Sequence, residues 1–364
     1  MNKQKPSVLF FLPGLDAGGA EKVITSVARH WAAQGWNIQI LLLDDCPNRF
    51  FDSEQFLPVT TIDMQLGRSP FKRVPLLGNL LGARKAIKAL KPHTIASFLP
   101  GPNILSVLAR VGLPVRLVIS ERNNIAKRPL PLPWRLLRQL TYRFADRVTY
   151  NFLGNQTALE KFVPKNKLQY LPNPLWPSSQ SFNSGTESKS ILSVGRLDFQ
   201  KGYDALLPAF ADSAAPKRGW SLTIVGNGHQ RTFLSQRIAQ LGISDQVKLV
   251  PPTINVWSDF QGSEFFILPS RYEGMPNVLL EALQHGLTPL VSDMVGDLVE
   301  PIRCINPRLV HASSNKASII DQLNWATDPC FSEKPISPVE IEKLLAPYRF
   351  ENSLPIWCEI FLPD

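Results

Sequence analysis

The sequence predicts an α/β protein made of two successive rounds of parallel strands alternating with helices, and three observations predict it. Short apolar runs of strand length recur along the chain, Val8–Leu12 and Val115–Ile119 in the first half, Ile191–Val194 and Phe265–Leu268 in the second. A strand apolar on both faces suits the interior of a parallel sheet covered by helices. Segments with apolar residues at helical spacing separate these runs, and glycines sit where strands hand over to helices. The third observation is length: 364 residues are enough for two domains, each burying its own core. The boundaries read as 1–173 and 174–347, and the aromatic-rich segment 348–364 is expected to pack back on the first domain.

Taken in order, Val8–Leu12 is the first strand, and Gly14-Leu-Asp-Ala-Gly-Gly-Ala20 is a glycine-rich turn. It opens a helix whose apolar stripe is Val23, Ile24, Val27, Ala28 and Trp31. Gly35 suits the end of that helix, and Ile38–Leu43 is the next strand. Amides at such a helix start can meet an anion, although the turn lacks the GxGxxG spacing of a nicotinamide site. A helix over 76–90, a strand over 94–99, a helix over 103–111 closed by Gly112 and a strand over 115–119 follow. That strand delivers Ser120-Glu-Arg-Asn-Asn124 at its carboxyl end. Glu121, Arg122 and Asn123 there either meet an anionic or hydroxylated substrate or pair with neighbours. After Arg128-Pro-Leu-Pro-Leu-Pro-Trp134 comes a helix carrying Arg135, Arg138 and Arg143 among Trp134, Leu136, Leu137, Leu140 and Phe144. It reads either as a core-facing helix with a solvated basic side or as a helix lying on an anionic membrane surface. Strands at 147–152 and 167–171 complete the domain, and the polar stretch Ser178 to Ser190 after Pro172-Asn-Pro174 reads as the linker.

Ile191–Val194 restarts the pattern and leads into Gly195-Arg-Leu-Asp-Phe-Gln-Lys201-Gly202, with a helix from about Tyr203. Arg196 and Lys201 thus leave a strand end on a loop that opens a helix. They read as a clamp for a diphosphate, or as two surface charges of a turn. The strand at 220–225 ends in Gly226-Asn-Gly228, and the strand at 247–250 in Pro251-Pro252. Phe265–Leu268 then leads into Arg271-Tyr-Glu-Gly-Met-Pro-Asn-Val-Leu-Leu-Glu281. Pro276 suits the first position of a helix, where a missing N–H costs nothing. Glu273 then falls in the strand-to-helix loop and Glu281 about one and a half turns into the helix. Both carboxylates belong to the carboxyl edge of a parallel sheet, where open α/β sheets take their ligands. Val278, Leu279, Leu280, Ala282 and Leu283 leave that helix little polar face, so Glu281 needs hydrogen-bond donors. Vicinal sugar hydroxyls are suitable donors for an ionised carboxylate. For the two glutamates alone, a turn residue and a residue on an exposed helix stripe is the plainer reading.

Composition excludes several classes. The apolar share of 44% and charged share of 19% belong to an ordinary folded chain. No run approaches the roughly 20 apolar residues of a spanning helix. Pro13, Gly14 and Asp16 break the apolar run behind Lys3 and Lys5, so a strand and glycine loop explain the N-terminus better than a signal peptide. Cys46, Cys304, Cys330 and Cys358 share no paired spacing, which argues against a zinc site or a disulfide framework and for a reducing, cytosolic compartment. The net charge of +9 favours anionic partners: phosphorylated ligands, nucleic acid or an acidic membrane surface.

The motifs together resemble the retaining glycosyltransferases of family four, which have the GT-B architecture of two Rossmann-like domains facing across a deep cleft. The resemblance rests on Gly18-Gly19-Ala20-Glu21-Lys22, on Val194-Gly195-Arg196 with Lys201-Gly202, and on Gly226-Asn227-Gly228. It rests also on Glu273-Gly274-Met275-Pro276 with Glu281, the Glu-x7-Glu pattern. It implies that Glu281 binds the ribose hydroxyls of a nucleotide-sugar donor, UDP-linked by preference. It further implies that Glu273 contacts the donor sugar, with the backbone of Gly274, Met275, Pro276 and Asn277 beside it. Arg196 and Lys201 would neutralise the leaving diphosphate, and Gly18, Gly19 and Gly226 would let backbone approach the donor. Glu121, Arg122 and Asn123 would lie on the acceptor side, in a segment resembling that of members extending surface polysaccharides. Many relatives carry a histidine near the strand that here gives Glu121 and Arg122, and a serine where this chain has Phe152. Their glycine-rich turn is here reduced to Asp293-Met-Val-Gly-Asp297.

The implied reaction moves a hexose or N-acetylhexosamine to a growing, lipid-linked glycan at the cytoplasmic membrane face, with no cofactor and no metal. Two other classes compete. A GT-B epimerase would consume donor without acceptor, and a nucleic-acid binder would use the positive charge. The interleaved aromatic and basic residues of single-strand binders are not evident, so no nucleic-acid partner is expected.

Overall fold

Strand β1 (Ser7–Leu12) is buried over five of its six residues, because every side chain of a central parallel strand meets a helix layer on one face or the other. The computed structural model describes residues 6–15, 18–43, 60–63, 75–178, 188–253, 255–330 and 335–361. Cys46 and most of the expected linker, 179–187, lie outside the described residues. The chain forms two compact units, one running to Pro174 and taking up the segment from Glu351, the other spanning Leu175–Phe350.

In the first unit β1 is followed by α1 (Gly19–Ala33), β2 (Asn37–Leu42), β3 (Thr60–Asp63), α2 (Pro75–Leu90) and β4 (Thr94–Phe98). Then come α3 (Pro100–Ala109), β5 (Arg116–Glu121), α4 (Leu132–Thr141), β6 (Arg147–Tyr150), α5 (Gly154–Leu159) and β7 (Leu168–Tyr170). All pairings are parallel, in the order β3-β2-β1-β4-β5-β6-β7, with Val8 opposite both Ile38 and Thr94. The edge strand β3 was not expected from the sequence: four residues, Thr-Thr-Ile-Asp, carry no apolar run.

The second unit repeats the scheme with β8 (Ser190–Val194), α6 (Tyr203–Asp212), β9 (Ser221–Val225), α7 (Arg231–Gln240) and β10 (Val247–Val250). It continues with α8 (Val256–Asp259), β11 (Phe265–Leu268), α9 (Asn277–Gln284), β12 (Thr288–Ser292), α10 (Val299–Ile305) and β13 (Val310–His311). Helices α11 (Lys316–Ala326) and α12 (Pro338–Leu345) close it, α12 starting with a full capping box between Ser337 and Glu340. The sheet order is β10-β9-β8-β11-β12-β13. From β8 the chain builds outward to β9 and β10, then returns to the other side of β8 to lay down β11. The strand order therefore reverses between β8 and β11, and a crevice opens at their carboxyl ends, the usual ligand position in such sheets.

Helix α13 (Phe350–Phe361) belongs with the first unit over most of its length. Trp357 stacks on Phe98 at 6.0 Å and donates its indole N–H to Pro172 O at 2.8 Å, while Phe361 meets Trp31 at 6.0 Å.

Candidate active site

Both loops that border the crevice between β8 and β11 carry the charges singled out in the sequence. The loop after β8 is tied to the loop after β9: Gly195 N–H donates to Val225 O, Leu197 N–H to Asn227 O and Gln230 N–H to Leu197 O, at 2.8 to 3.0 Å. That closeness explains Gly226, where an added Cβ would run into Gly195 O, a backbone atom that cannot swing aside. Gly202 answers a second demand. It sits at φ 73°, left-handed, and a Cβ there would strike Pro269 O at the end of β11. Asp198 caps the short turn Phe199–Lys201 by accepting from Lys201 N–H at 3.3 Å, which fixes where the Lys201 side chain leaves the backbone.

Lys201 Nζ reaches Glu273 Oε1 at 2.7 Å, so the two residues form one buried ion pair rather than two separate contacts. Ser270 Oγ donates to the same oxygen at 2.7 Å, and Gln200 Nε2 to the other at 3.3 Å. Glu273 N–H donates to Met294 O at 2.9 Å, so the shortened turn after β12 holds the loop in place. Arg196 lies beside this cluster, half-exposed, its Nη2 3.4 Å from Gln200 Oε1 and 3.5 Å from Asp198 Oδ2. Arg271 is a cation of another kind. It grips Asp204 with two hydrogen bonds of 2.7 and 2.8 Å and lies 3.9 Å over the Phe199 ring, which locks the β11 loop to α6.

Helix α9 starts one residue later than expected. Pro276 is its N-cap, at φ −79° and ψ 97°, and Asn277 is the first helical residue. Gly274, Met275 and Pro276 are buried, and Asn277 is half-buried. Glu281 is half-buried, and Trp257 of α8 donates its indole N–H to Glu281 Oε2 at 2.7 Å.

In the first unit, Gly18 is the N-cap of α1 and Gly19 its first residue, and a Cβ on Gly18 would strike the Glu21 carboxylate. The set expected on the acceptor side is divided. Glu121 is wholly buried, accepting from Tyr142 O–H at 3.1 Å with Arg138 3.9 Å away. Burial raises its carboxyl above the usual range, against the pull of Arg138 and Tyr142. Arg122 is buried between the rings of Phe98 and Trp357, 5.4 and 5.0 Å from their centres, and donates to Asn173 Oδ1 at 2.5 Å. Both therefore pair with neighbours, the second of the two readings left open above. Asn123 is half-buried, with Arg128 3.4 Å from its Oδ1.

Arg138 corrects the reading of α4 as a helix with one solvated basic side. It faces inward to Glu121, while Leu132, Leu136, Leu140 and, just beyond the helix, Phe144 are 48% to 62% exposed. Opposite the buried Glu121 carboxylate the helix turns Arg138 inward beside Trp134 and Leu137, which pack on the core, and leaves Leu132, Leu136 and Leu140 facing out. Gln200, Ser270, Arg271 and Trp257 are site residues that sequence reasoning missed. Ser270 and Arg271 carried a signal, standing directly after an apolar strand; Gln200 and Trp257 carried none.

Two family models cover the chain almost end to end: the glycosyl transferase 4-like domain matches residues 18–174 and glycosyl transferases group 1 matches residues 176–329. The chain belongs to the family-four glycosyltransferases. An enzyme of Campylobacter jejuni named as an alpha-1,4-N-acetyl-D-galactosaminyltransferase acting on GalNAc-GalNAc-diNAcBac-PP-undecaprenol is 29% identical over 280 residues, 76% of each chain. A GDP-mannose:cellobiosyl-diphosphopolyprenol alpha-mannosyltransferase of Xanthomonas oryzae is 25% identical over 294 residues, 76% of this chain and 75% of that one. Among solved structures, Anabaena HepE in complex with UDP and glucose superposes with a TM-score of 0.81 at 16% identity, covering 97% of this chain and 98% of that one. This glycosyltransferase therefore has the GT-B fold, and its β8–β11 crevice lies within the residues matched as glycosyl transferases group 1.

Proposed function

We propose that this glycosyltransferase transfers a hexose or N-acetylhexosamine, with retention of configuration, from a UDP-sugar to a lipid-linked glycan. The observation that carries the reading is the joining of Lys201, Glu273 and Arg196 at the reversal of strand order, with Glu281 held nearby on α9. Breaking a sugar–phosphate bond builds negative charge on the departing diphosphate, and cations fixed where that charge appears lower the barrier. Among the described residues Arg196 Nη2 has only long contacts to give up, 3.4 Å to Gln200 and 3.5 Å to Asp198, and Lys201 carries three donor hydrogens, so its bond to Glu273 leaves others for a phosphate oxygen. Glu273, anchored by Ser270 and Lys201, contacts the donor sugar beside the backbone of Gly274 to Asn277. Glu281 accepts from the ribose hydroxyls. Gly226, Gly18 and Gly19 keep backbone bare beside the donor. Of the acceptor-side residues, Asn123 is the one whose side chain is open to an incoming hydroxyl; Arg122 and Glu121 shape that edge from beneath.

No carboxylate nucleophile is assigned. The departing phosphate takes the proton of the acceptor hydroxyl as the new bond forms on the face being vacated, which retains configuration. The paired cations do the work of charge neutralisation, so turnover should persist in chelator.

The relatives named above act on diphospho-polyprenol-linked sugars and carry alpha linkages in their names, which supports both acceptor class and retention. The UDP of the HepE complex supports the donor nucleotide, and the GDP-mannose of the Xanthomonas enzyme names the donor to set against it. A lipid-linked acceptor fits a reaction at the cytoplasmic membrane face. The exposed Leu132, Leu136, Leu140 and Phe144, flanked by Arg135 and Arg143, suit an anionic membrane surface.

A panel of UDP- and GDP-sugars, with and without diphospho-undecaprenol-linked acceptor, tests the reading through nucleotide release and the anomeric configuration of the product. Acceptor-dependent release from a UDP-sugar with an alpha-linked product is expected. Conversion of donor to an isomer without acceptor would overturn it in favour of epimerisation.

A further inference from the structure

Nothing in the sequence motifs accounts for Trp257, yet it donates its indole N–H to Glu281 Oε2 at 2.7 Å. The indole N–H can only donate and the ionised carboxylate can only accept, so the polarity of this bond is fixed. The ring itself is immobilised from two sides. It lies parallel to the His285 imidazole, centroids 5.3 Å apart and planes 9° apart, and it leans on the fully buried Phe266 at 6.1 Å. Its short helix is pinned as well: Val256 is buried, Thr253 Oγ1 donates to Asp259 Oδ2 at 2.7 Å and Ser258 Oγ to Asn255 O at 2.9 Å.

The donor to Glu281 is thus held by rings from two other elements: Trp257 of α8 packs on Phe266 of β11 and on His285 at the end of α9. A glutamate has three rotatable bonds between backbone and charge, and gripping two vicinal hydroxyls requires a defined carboxylate plane. A carboxylate oxygen accepts more than one hydrogen bond, so the indole can orient the group while it still receives ligand hydroxyls. We infer that Trp257 is a positioning residue for nucleotide binding: its N–H sets the Glu281 carboxylate in the orientation that takes the cis-diol of the donor's ribose. The inference rests on the reading of Glu281 as the ribose-binding acid and adds what holds that acid in place.

The test measures how strongly the protein prefers a ribose to a 2′-deoxyribose, using UDP against 2′-deoxy-UDP and GDP against 2′-deoxy-GDP by calorimetric titration. Trp257→Phe keeps a ring on His285 and Phe266 and removes the N–H. It should reduce the ribose preference by about tenfold, the lower end of what one hydrogen bond to a charged group contributes. In turnover the loss should fall on the donor KM more than on kcat, a split that a merely structural role would not give. Replacing the indole N–H by sulfur with benzothienylalanine at this position keeps shape and packing, so the test survives a Trp257→Phe protein that does not fold. Loss of ribose preference in Glu281→Ala together with its reduction in either Trp257 variant supports the inference. Loss in Glu281→Ala with a wild-type preference in the Trp257 variants overturns it and leaves the ribose reading standing. A wild-type preference in Glu281→Ala overturns the ribose reading, and the positioning role with it.

Discussion

Replacing Lys201 by methionine should separate the two functions of its ion pair. The Lys201 and Glu273 side chains are 12% and 9% exposed, so removal of the ammonium strands a buried carboxylate. Breaking a buried pair in this way costs about 3–5 kcal/mol. Glu273 keeps its hydrogen bonds from Ser270 and Gln200, which brings the expected loss to roughly 2–3 kcal/mol. For units of this size that is a fall in unfolding midpoint of about 4–12 °C. Activity should fall further, by about 10²–10³ in kcat, the usual effect of deleting one group that stabilises transition-state charge. The double variant Lys201→Met/Glu273→Gln replaces the pair with neutral groups of similar shape. It should regain most of the lost stability, because neutral replacements of a buried pair are often tolerated, while activity stays low. Thermal unfolding followed alongside single-turnover transfer checks both. A Lys201→Met protein with a wild-type midpoint and near wild-type transfer would refute the reasoning, as would a double variant that recovers turnover.

Gly226→Ala places a methyl against Gly195 O, and overpacking of this kind costs about 1–3 kcal/mol; a lower midpoint and weaker stabilisation by UDP are expected, and a midpoint within 1 °C or so of wild type would contradict it. His311 is held down to about 4 by burial, with Gln322 on Nδ1 and Asp293 nearby opposing the shift. The unfolded chain takes this proton near 6.5 and the folded chain only near 4, so the contribution is present above 6.5 and disappears as pH falls toward 4. It amounts to roughly 3 kcal/mol at neutral pH. Between pH 7.5 and 4.5 the wild-type midpoint should therefore drop more than that of His311→Gln, whereas parallel curves would refute the claim. Leu136→Ser/Leu140→Ser should lower co-sedimentation with anionic vesicles by about tenfold without loss of helical signal, and unchanged co-sedimentation would remove α4 as the membrane surface.

Much of the fold was legible because a parallel sheet writes itself into sequence as uninterrupted apolar runs. Phe265–Leu268 and Val8–Leu12 are examples, and each became a central strand. The short edge strand β3 left no such trace. Within the site, Arg196, Lys201, Glu273 and Glu281 could be picked out because each follows a strand or lies on the helix behind one. Which of them pair could not be read. Lys201 and Glu273 stand 72 residues apart and meet only because β8 and β11 are neighbours. Trp257 sits in a four-residue helix with no periodicity to read. Helix α4 shows the limit of pattern alone: its arginine and leucine stripes are equally regular, and what decides which faces inward is Glu121, on a strand eleven residues earlier in the chain than the first residue of α4.

Positive side chains at the β8–β11 crevice are proposed to meet the charge of a departing diphosphate. Arg196 is the cleanest probe, since its side chain is 52% exposed and its polar neighbours stand 3.4 and 3.5 Å away, so its removal leaves the fold intact. The decisive measurement is the single-turnover rate of sugar transfer from saturating donor by Arg196→Ala. A fall of about a hundredfold, with donor affinity changed far less, is the result predicted here. Transfer at the wild-type rate would contradict the account.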